Sequence, residues 1–161
     1  MNIVLAGLDG SGKTTLARLL VTGKITEHAP TERMRRDKLN WKGTNVIFTD
    51  STGDAEIGRI WSELSCDAYV FIVDGADRER LGEVQKELKK LFVRKVPIAL
   101  LLNKSDLVNF CPVPELVRLL GLEGEDPKSL PPMQAFECTI GKNLGYQEAL
   151  DWLVSFAPER V

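Results

Sequence analysis

The chain holds 161 residues, 43% hydrophobic and 27% charged, with a net charge of −2, which is ordinary for one globular domain. That charge balance gives no bulk reason to bind nucleic acid, and no window approaches the roughly 20 apolar residues that cross a bilayer. Cys66, Cys111 and Cys138 show neither disulfide nor metal-ligand spacing and read as reduced thiols of a cytoplasmic protein.

Apolar runs alternate with amphipathic stretches along residues 1–161. This is the pattern of a single α/β domain on a mostly parallel sheet with helices on both faces. Ile3 to Ala6 reads as the first strand, directly before a glycine-rich turn. Met1 runs straight into it, so no signal peptide is expected, and Asn2 in place of glycine argues against N-myristoylation of the chain as written. From Thr14 to Val21, Leu16, Leu19 and Leu20 have helical spacing, and Gly23 ends the helix. The polar stretch Gly23 to Asp37, with Pro30, reads as a long loop, of a length that is usually functional or disordered. Lys38 to Trp41 and Thr44 to Thr49 flank Lys42-Gly43 as a β-hairpin. Ala68 to Val73 is a buried strand, Arg80 to Phe92 an amphipathic helix, and Pro97 to Leu102 a second buried strand. A short helix over Glu115 to Leu120, a polar connection Gly121 to Pro132, a strand Met133 to Cys138 and a helix Tyr146 to Phe156 complete a six-stranded, doubly wound order.

Gly7-Leu8-Asp9-Gly10-Ser11-Gly12-Lys13-Thr14 has the phosphate-loop pattern, after a strand and opening a helix. Glycine reaches backbone angles closed to other residues, so successive N–H groups can turn inward around phosphate oxygens at the positive end of a helix. Asp9, Gly10, Ser11, Gly12, Lys13, Thr14 and Thr15 are therefore nucleotide-binding candidates. Lys13 is suited to bridge β- and γ-phosphates, and the Thr14 hydroxyl to bind magnesium.

Base identity points to Asn103-Lys104-Ser105-Asp106, directly after an apolar strand. The Asp106 carboxylate can accept bonds from guanine N1–H and its N2 amine, which adenine cannot offer; such a site typically discriminates by ~10⁴ or more. Asn103 can fasten this loop to the phosphate loop, and the Lys104 stem can lie along the base. Asp50-Ser51-Thr52-Gly53 follows a strand: Asp50 can hold magnesium through a water, and the Gly53 N–H can meet a γ-phosphate. Thr31, after Pro30, is placed to give magnesium a second hydroxyl only while a γ-phosphate orders its loop.

Together these residues resemble the Arf/Sar family of small GTPases over nearly the whole chain. Gly7 to Thr15, the Pro30-Thr31 spacing to Asp50, and Asp74-Gly-Ala-Asp-Arg-Glu-Arg80 carry the resemblance. Ala135-Phe-Glu-Cys-Thr139, Gly145-Tyr-Gln-Glu-Ala149 and Trp152-Leu153 lean towards the Sar branch, the GTPases that start vesicle coats at the endoplasmic reticulum. The resemblance implies a P-loop small G-protein domain that binds GTP, GDP and Mg²⁺. It also implies an exchange factor, an activating protein and a coat or other effector as partners, no nucleic acid, and a place in the cytoplasm or peripherally on endoplasmic reticulum or Golgi membranes. It puts Cys138 and Thr139 where a backbone N–H reads guanine O6.

The chain also departs from the family. Members carry Gly-Gly followed by Gln (Arf) or His (Sar) to orient the attacking water, whereas this chain has Thr52-Gly53-Asp54. A carboxylate there would oppose the γ-phosphate, so Lys13, Thr31, Gly53 and Asp54 are expected to give slow hydrolysis. Thr49 stands where an aromatic residue usually precedes the aspartate. The N-terminal amphipathic helix that anchors family members to membranes is absent from the chain as written. This leaves two readings, a truncated sequence or a protein that works without that anchor, with peripheral membrane association still compatible. Arg33, Arg35, Arg36 and Lys38 read as a solvated loop, with an acidic partner or anionic lipid as the alternative. Trp61 and Trp152 are expected to pack under the sheet, and His28 to be a loop residue. Two other functions are compatible with parts of the pattern: a GTP-holding scaffold that hydrolyses nothing, and a thymidylate-kinase-like nucleoside-monophosphate kinase, which leaves Asn103 to Asp106 unexplained.

Overall fold

A computed structural model describes residues 1–25, 34–51, 60–126 and 128–158. Six strands and four α-helices follow in chain order: β1 (Asn2–Ala6), α1 (Lys13–Thr22), β2 (Arg35–Trp41), β3 (Thr44–Asp50), β4 (Ala68–Asp74), α2 (Leu81–Leu91), β5 (Ile98–Asn103), α3 (Val113–Leu119), β6 (Met133–Glu137) and α4 (Tyr146–Val154). The strands form one sheet in the order β2-β3-β1-β4-β5-β6. Only β2 runs antiparallel to its neighbour.

The two-residue period of the strands divides the core. Ile3, Leu5, Val70, Ile72 and Leu101 pack with Leu16 and Leu20 of α1 and Leu150 and Leu153 of α4. Val4, Ala6, Tyr69, Phe71 and Leu100 meet Leu81, Val84 and Leu88 of α2 and Leu116 of α3 on the other face. Both faces of β4 and β5 are covered, which is why these strands read as unbroken apolar runs. Trp61 is buried in the α2 face, edge-on to Phe71, and Trp152 is half-buried between Phe136 and Phe156 in the other. Because β1 pairs on its two sides with β3 and β4, chain connections diverge there, and such switch points open a crevice at the strands' carboxyl ends. Ala6, Asp50, Asp74, Asn103 and Glu137 end their strands at that edge.

The stretch Gly23 to Asp37 is not a loop throughout: Arg35, Arg36 and Asp37 belong to β2, pairing with Asp50, Thr49 and Phe48. The basic run is therefore strand from Arg35 onward. Alternate residues of this edge strand, Arg36 and Lys38 among them, are exposed, and an outer edge accepts charges that a central strand would reject. Helix α2 begins at Leu81 because Arg78–Arg80 form a 3-10 turn, and Phe92–Arg94 form another at its end. Thr31, Gly53 and Asp54, together with His28 and Arg33, lie outside the described residues. Among the described residues no helix is long and apolar enough to cross a membrane.

The hairpin tip has positive φ at both Lys42 (47°) and Gly43 (91°), the turn that matches strand twist. Asp151 of α4 holds this tip: the Trp41 indole N–H donates to its Oδ1 at 2.8 Å and Lys42 Nζ to its Oδ2 at 2.8 Å. The Lys42 bond, then the Trp41 bond, hold the Asp151 carboxyl below the usual carboxylate range. The tether is thus complete above that range and is lost as pH falls through the lowered value. Asp151→Ala should speed solvent exchange of the Trp41 indole N–H, read by NMR, while moving the melting temperature by only a few degrees, as expected for an exposed pair. Unchanged indole exchange would show that the tether does not hold the hairpin.

Candidate functional site

The turn after β1 is shaped by glycine at two close approaches. Gly7 has φ 143°, and a Cβ there would collide with the Ile72 carbonyl of β4. Gly12 has φ 113°, and a Cβ there would lie 2.6 Å from the Asn103 side-chain nitrogen. Helix α1 then starts at Lys13 with neither a side-chain cap nor an acidic residue in its first turn. These two close approaches fix the path of the turn, and the uncapped, positive end of the helix it opens fits a phosphate group. Asp9 and Gly10 are exposed at the rim, Ser11 is buried, Thr15 is half-buried in the first helical turn, and the Lys13 side chain runs inward with Nζ 5.9 Å from the Trp61 ring centre.

Asn103, the last residue of β5, joins three loops. Its Nδ2 donates to the Ser11 carbonyl at 2.9 Å, and its Oδ1 accepts the Ile140 N–H at 3.0 Å. The buried Cys138 thiol lies 3.8 Å from that same Oδ1, its pKa pushed up to about 12 by burial, so it stays neutral and fills space. Lys104, with φ 67°, donates to Asp74 Oδ2 at 2.6 Å and to the Gly10 carbonyl at 3.2 Å. Ser105 and Thr139 share a hydroxyl hydrogen bond of 2.8 Å, and the Ser105 N–H donates to the Cys138 carbonyl at 3.1 Å. Phosphate loop and base loop are therefore one connected body.

At the other end of the cradle, the Thr14 hydroxyl donates to Asp50 Oδ2 at 3.2 Å, and Asp50 is buried. A hydroxyl and a carboxylate are the hard oxygen ligands magnesium takes, most of its remaining shell coming from phosphates and water. No group of three His, Cys, Asp or Glu residues able to hold a metal occurs among the described residues.

Two details differ from the sequence reading. The Cys138 N–H donates to the Leu102 carbonyl at 2.9 Å and the Thr139 N–H to the Leu144 carbonyl at 3.0 Å. Neither is left over for guanine O6, because β6 continues its ladder to Cys138 and a bridge closes Thr139 on Leu144. Asp106 is also not alone: Lys142 Nζ lies 3.2 Å from its Oδ2. Lys142, Asp74 and Arg80 all reach the site without having been singled out individually. Asp74 and Arg80 bound the stretch after β4 that carries part of the family resemblance, and this was their only signal.

The six-stranded, mostly parallel sheet and the glycine-rich loop that opens α1 are those of a P-loop domain of the small G-protein type. The family model described as "ADP-ribosylation factor family" matches residues 1–157. The chain is 31% identical to ADP-ribosylation factor-like protein 1 of Drosophila melanogaster, covering 95% of this chain and 87% of that protein. It is 29% identical to the protein of the same name from Caenorhabditis elegans, over 96% and 88%. It is 30% identical to ADP-ribosylation factor-like protein 3 of Chlamydomonas reinhardtii, over 94% and 88%. The chain belongs to the ADP-ribosylation factor family. Members of that family are small GTPases that bind GTP and GDP with magnesium, hydrolyse GTP, and act with regulators and effectors as switches in membrane trafficking.

Asn103→Ala removes the joint between the loops and leaves the buried Ser11 carbonyl and Ile140 N–H without it. The expected cost is about 2 kcal/mol of folding stability, read as a lowered midpoint of unfolding in denaturant. An unchanged midpoint would show that the two loops hold their places without it.

Proposed function

We propose that this chain binds guanine nucleotides through the residues that converge at the carboxyl edge of the sheet, and that it turns GTP over slowly. The observation that carries the reading is the Asn103 side chain, bonded to both Ser11 and Ile140, which fixes a phosphate cradle at a set distance from a carboxylate at Asp106. Asp106 would read guanine N1–H and N2, with Lys142 giving way on the accepting oxygen. Lys13 would bridge the β- and γ-phosphates, and the main-chain N–H groups of Gly10 and of Gly12 to Thr15 would surround them. Thr14 and Asp50 would hold magnesium, with Thr31 as a further hydroxyl; the ion, when bound, neutralises charge that builds on the phosphates. Gly53 would sense the γ-phosphate through its N–H.

The weak point of the cycle is Asp54. Where the family uses a neutral glutamine or histidine to orient water, this carboxylate would repel the γ-phosphate as the nucleophile approaches it. An activating protein would then supply the missing stabilisation, through an arginine in the manner such partners use. The same residue favours a second reading, in which GTP is held as a structural ligand and never hydrolysed.

For the branch, the support is narrower. The residues from Ala135 to Leu153 favour the Sar type and a role in coat assembly on endoplasmic reticulum or Golgi membranes, whereas the relatives named above are Arf-like proteins. A cytoplasmic protein meeting membranes peripherally through its effectors is consistent with both.

Nucleotide-stripped protein titrated with GTP, GDP, ATP and thymidine monophosphate in magnesium decides between these readings. Guanine preference of at least ~10⁴ over adenine with slow phosphate release is expected. Tight GTP binding with turnover no faster than buffer would favour the scaffold. Preference for ATP with thymidine monophosphate would contradict the proposal.

A further inference from the structure

Three consecutive carbonyls of the phosphate loop are each held from outside by a different side chain. Arg80 Nη1 donates to the Asp9 carbonyl at 3.1 Å, Lys104 Nζ to the Gly10 carbonyl at 3.2 Å, and Asn103 Nδ2 to the Ser11 carbonyl at 2.9 Å. In a trans peptide the N–H points opposite to the C=O of the same unit. Holding these oxygens outward therefore turns the N–H groups of Gly10, Ser11 and Gly12 towards the concave side, where an anion would sit. The Ser11 N–H is drawn into the turn by the Leu8 carbonyl at 3.2 Å, which leaves Gly10 and Gly12 as the aimed donors.

Asn103 and Lys104 belong to the base-reading motif, but Arg80 belongs to neither motif. It stands just before α2, 71 residues from Asp9. Its fork serves three acceptors at once: the Asp9 carbonyl, Asp9 Oδ1 at 2.8 Å, and Glu83 Oε2 at 3.1 Å. Only a planar guanidinium can address that spread of oxygens together. The ion pairs themselves are partly exposed, so their Coulomb energy counts for little. What Arg80 adds is direction. The same connection between β4 and α2 begins with Asp74, which holds Lys104 on the Gly10 carbonyl.

We propose that Arg80 is a positioning residue of the phosphate cradle: it fixes the Asp9–Gly10 peptide so that the Gly10 N–H faces the phosphates, and it thereby sets how long a guanine nucleotide stays bound. The inference rests on the guanine-nucleotide reading above and assigns the stretch Asp74 to Arg80 a task, that of backing the loop. Its action is on the phosphate end and leaves base selection alone.

The test measures dissociation of a fluorescent GDP from wild type, Arg80→Ala and Arg80→Lys in magnesium, with the ³¹P spectrum of bound GDP and the GDP-over-ADP preference recorded for each. Arg80→Ala should release GDP about tenfold faster and shift the β-phosphate resonance, with the base preference unchanged. Arg80→Lys keeps the charge but presents a single ammonium, so it should recover only part of the loss. Wild-type release and an unshifted resonance in Arg80→Ala would overturn the proposal. So would faster release with an unshifted β-phosphate, since that is the mark of general loosening. If Arg80→Ala does not fold, Arg80→Lys decides: release and a resonance identical to wild type overturn the proposal, and a partial shift in both supports it. Wild-type protein that binds no guanine nucleotide would instead defeat the functional reading beneath it, a result visible before any variant is made.

Discussion

A buried carboxamide carries a donor and an acceptor on one rigid plane, and neither can be left unmatched away from water. Asn103 spends its donor on the phosphate loop and its acceptor on the segment after β6. Its place at the end of β5, between β4 and β6, means that the sheet itself sets where that plane lies. The Ser11 carbonyl, the Ile140 N–H and the Cys138 thiol are located by it, and Gly12 must be glycine because the amide passes where a Cβ would be. Geometry that would otherwise depend on three separate loops depends on one side chain.

The remaining contacts extend that arrangement outward. Lys104 and Arg80 donate to the carbonyls of Gly10 and Asp9, and Asp74 and Glu83 hold those cations in turn. At the far end Thr14 and Asp50 bring a hydroxyl and a buried carboxylate together. Below this edge, the two apolar faces of the sheet pack against α1 and α4 on one side and α2 and α3 on the other.

Residues whose chemistry depends on short spacing were legible in the chain. Gly7 to Thr14 is such a group, fixed locally by a strand, a tight turn and a helix start, and Asn103 to Asp106 is another, fixed by the end of β5 and the turn that follows it. The apolar runs of β4 and β5 declared a buried sheet for the same reason. The start of β2 was not legible: Arg35, Arg36 and Asp37 look like loop residues, and only pairing with β3 makes them strand. Arg80 and Lys142 were missed because their partners, Asp9 and Asp106, are remote in sequence and near only after folding. The occupied N–H groups of Cys138 and Thr139 likewise depend on carbonyls of Leu102 and Leu144 that no motif names.

One side chain, Asn103, joins the phosphate loop to the loop Asn103 to Asp106 and to the segment after β6. A crystal structure of the magnesium–GDP complex tests this most directly. The account predicts that the main chain from Gly7 to Thr14 keeps its present path and that Asn103 keeps its bonds to Ser11 and Ile140. Asp106 would then exchange Lys142 for the guanine edge. A phosphate loop refolded around the nucleotide, or an Asn103 side chain turned away from Ser11, would contradict it.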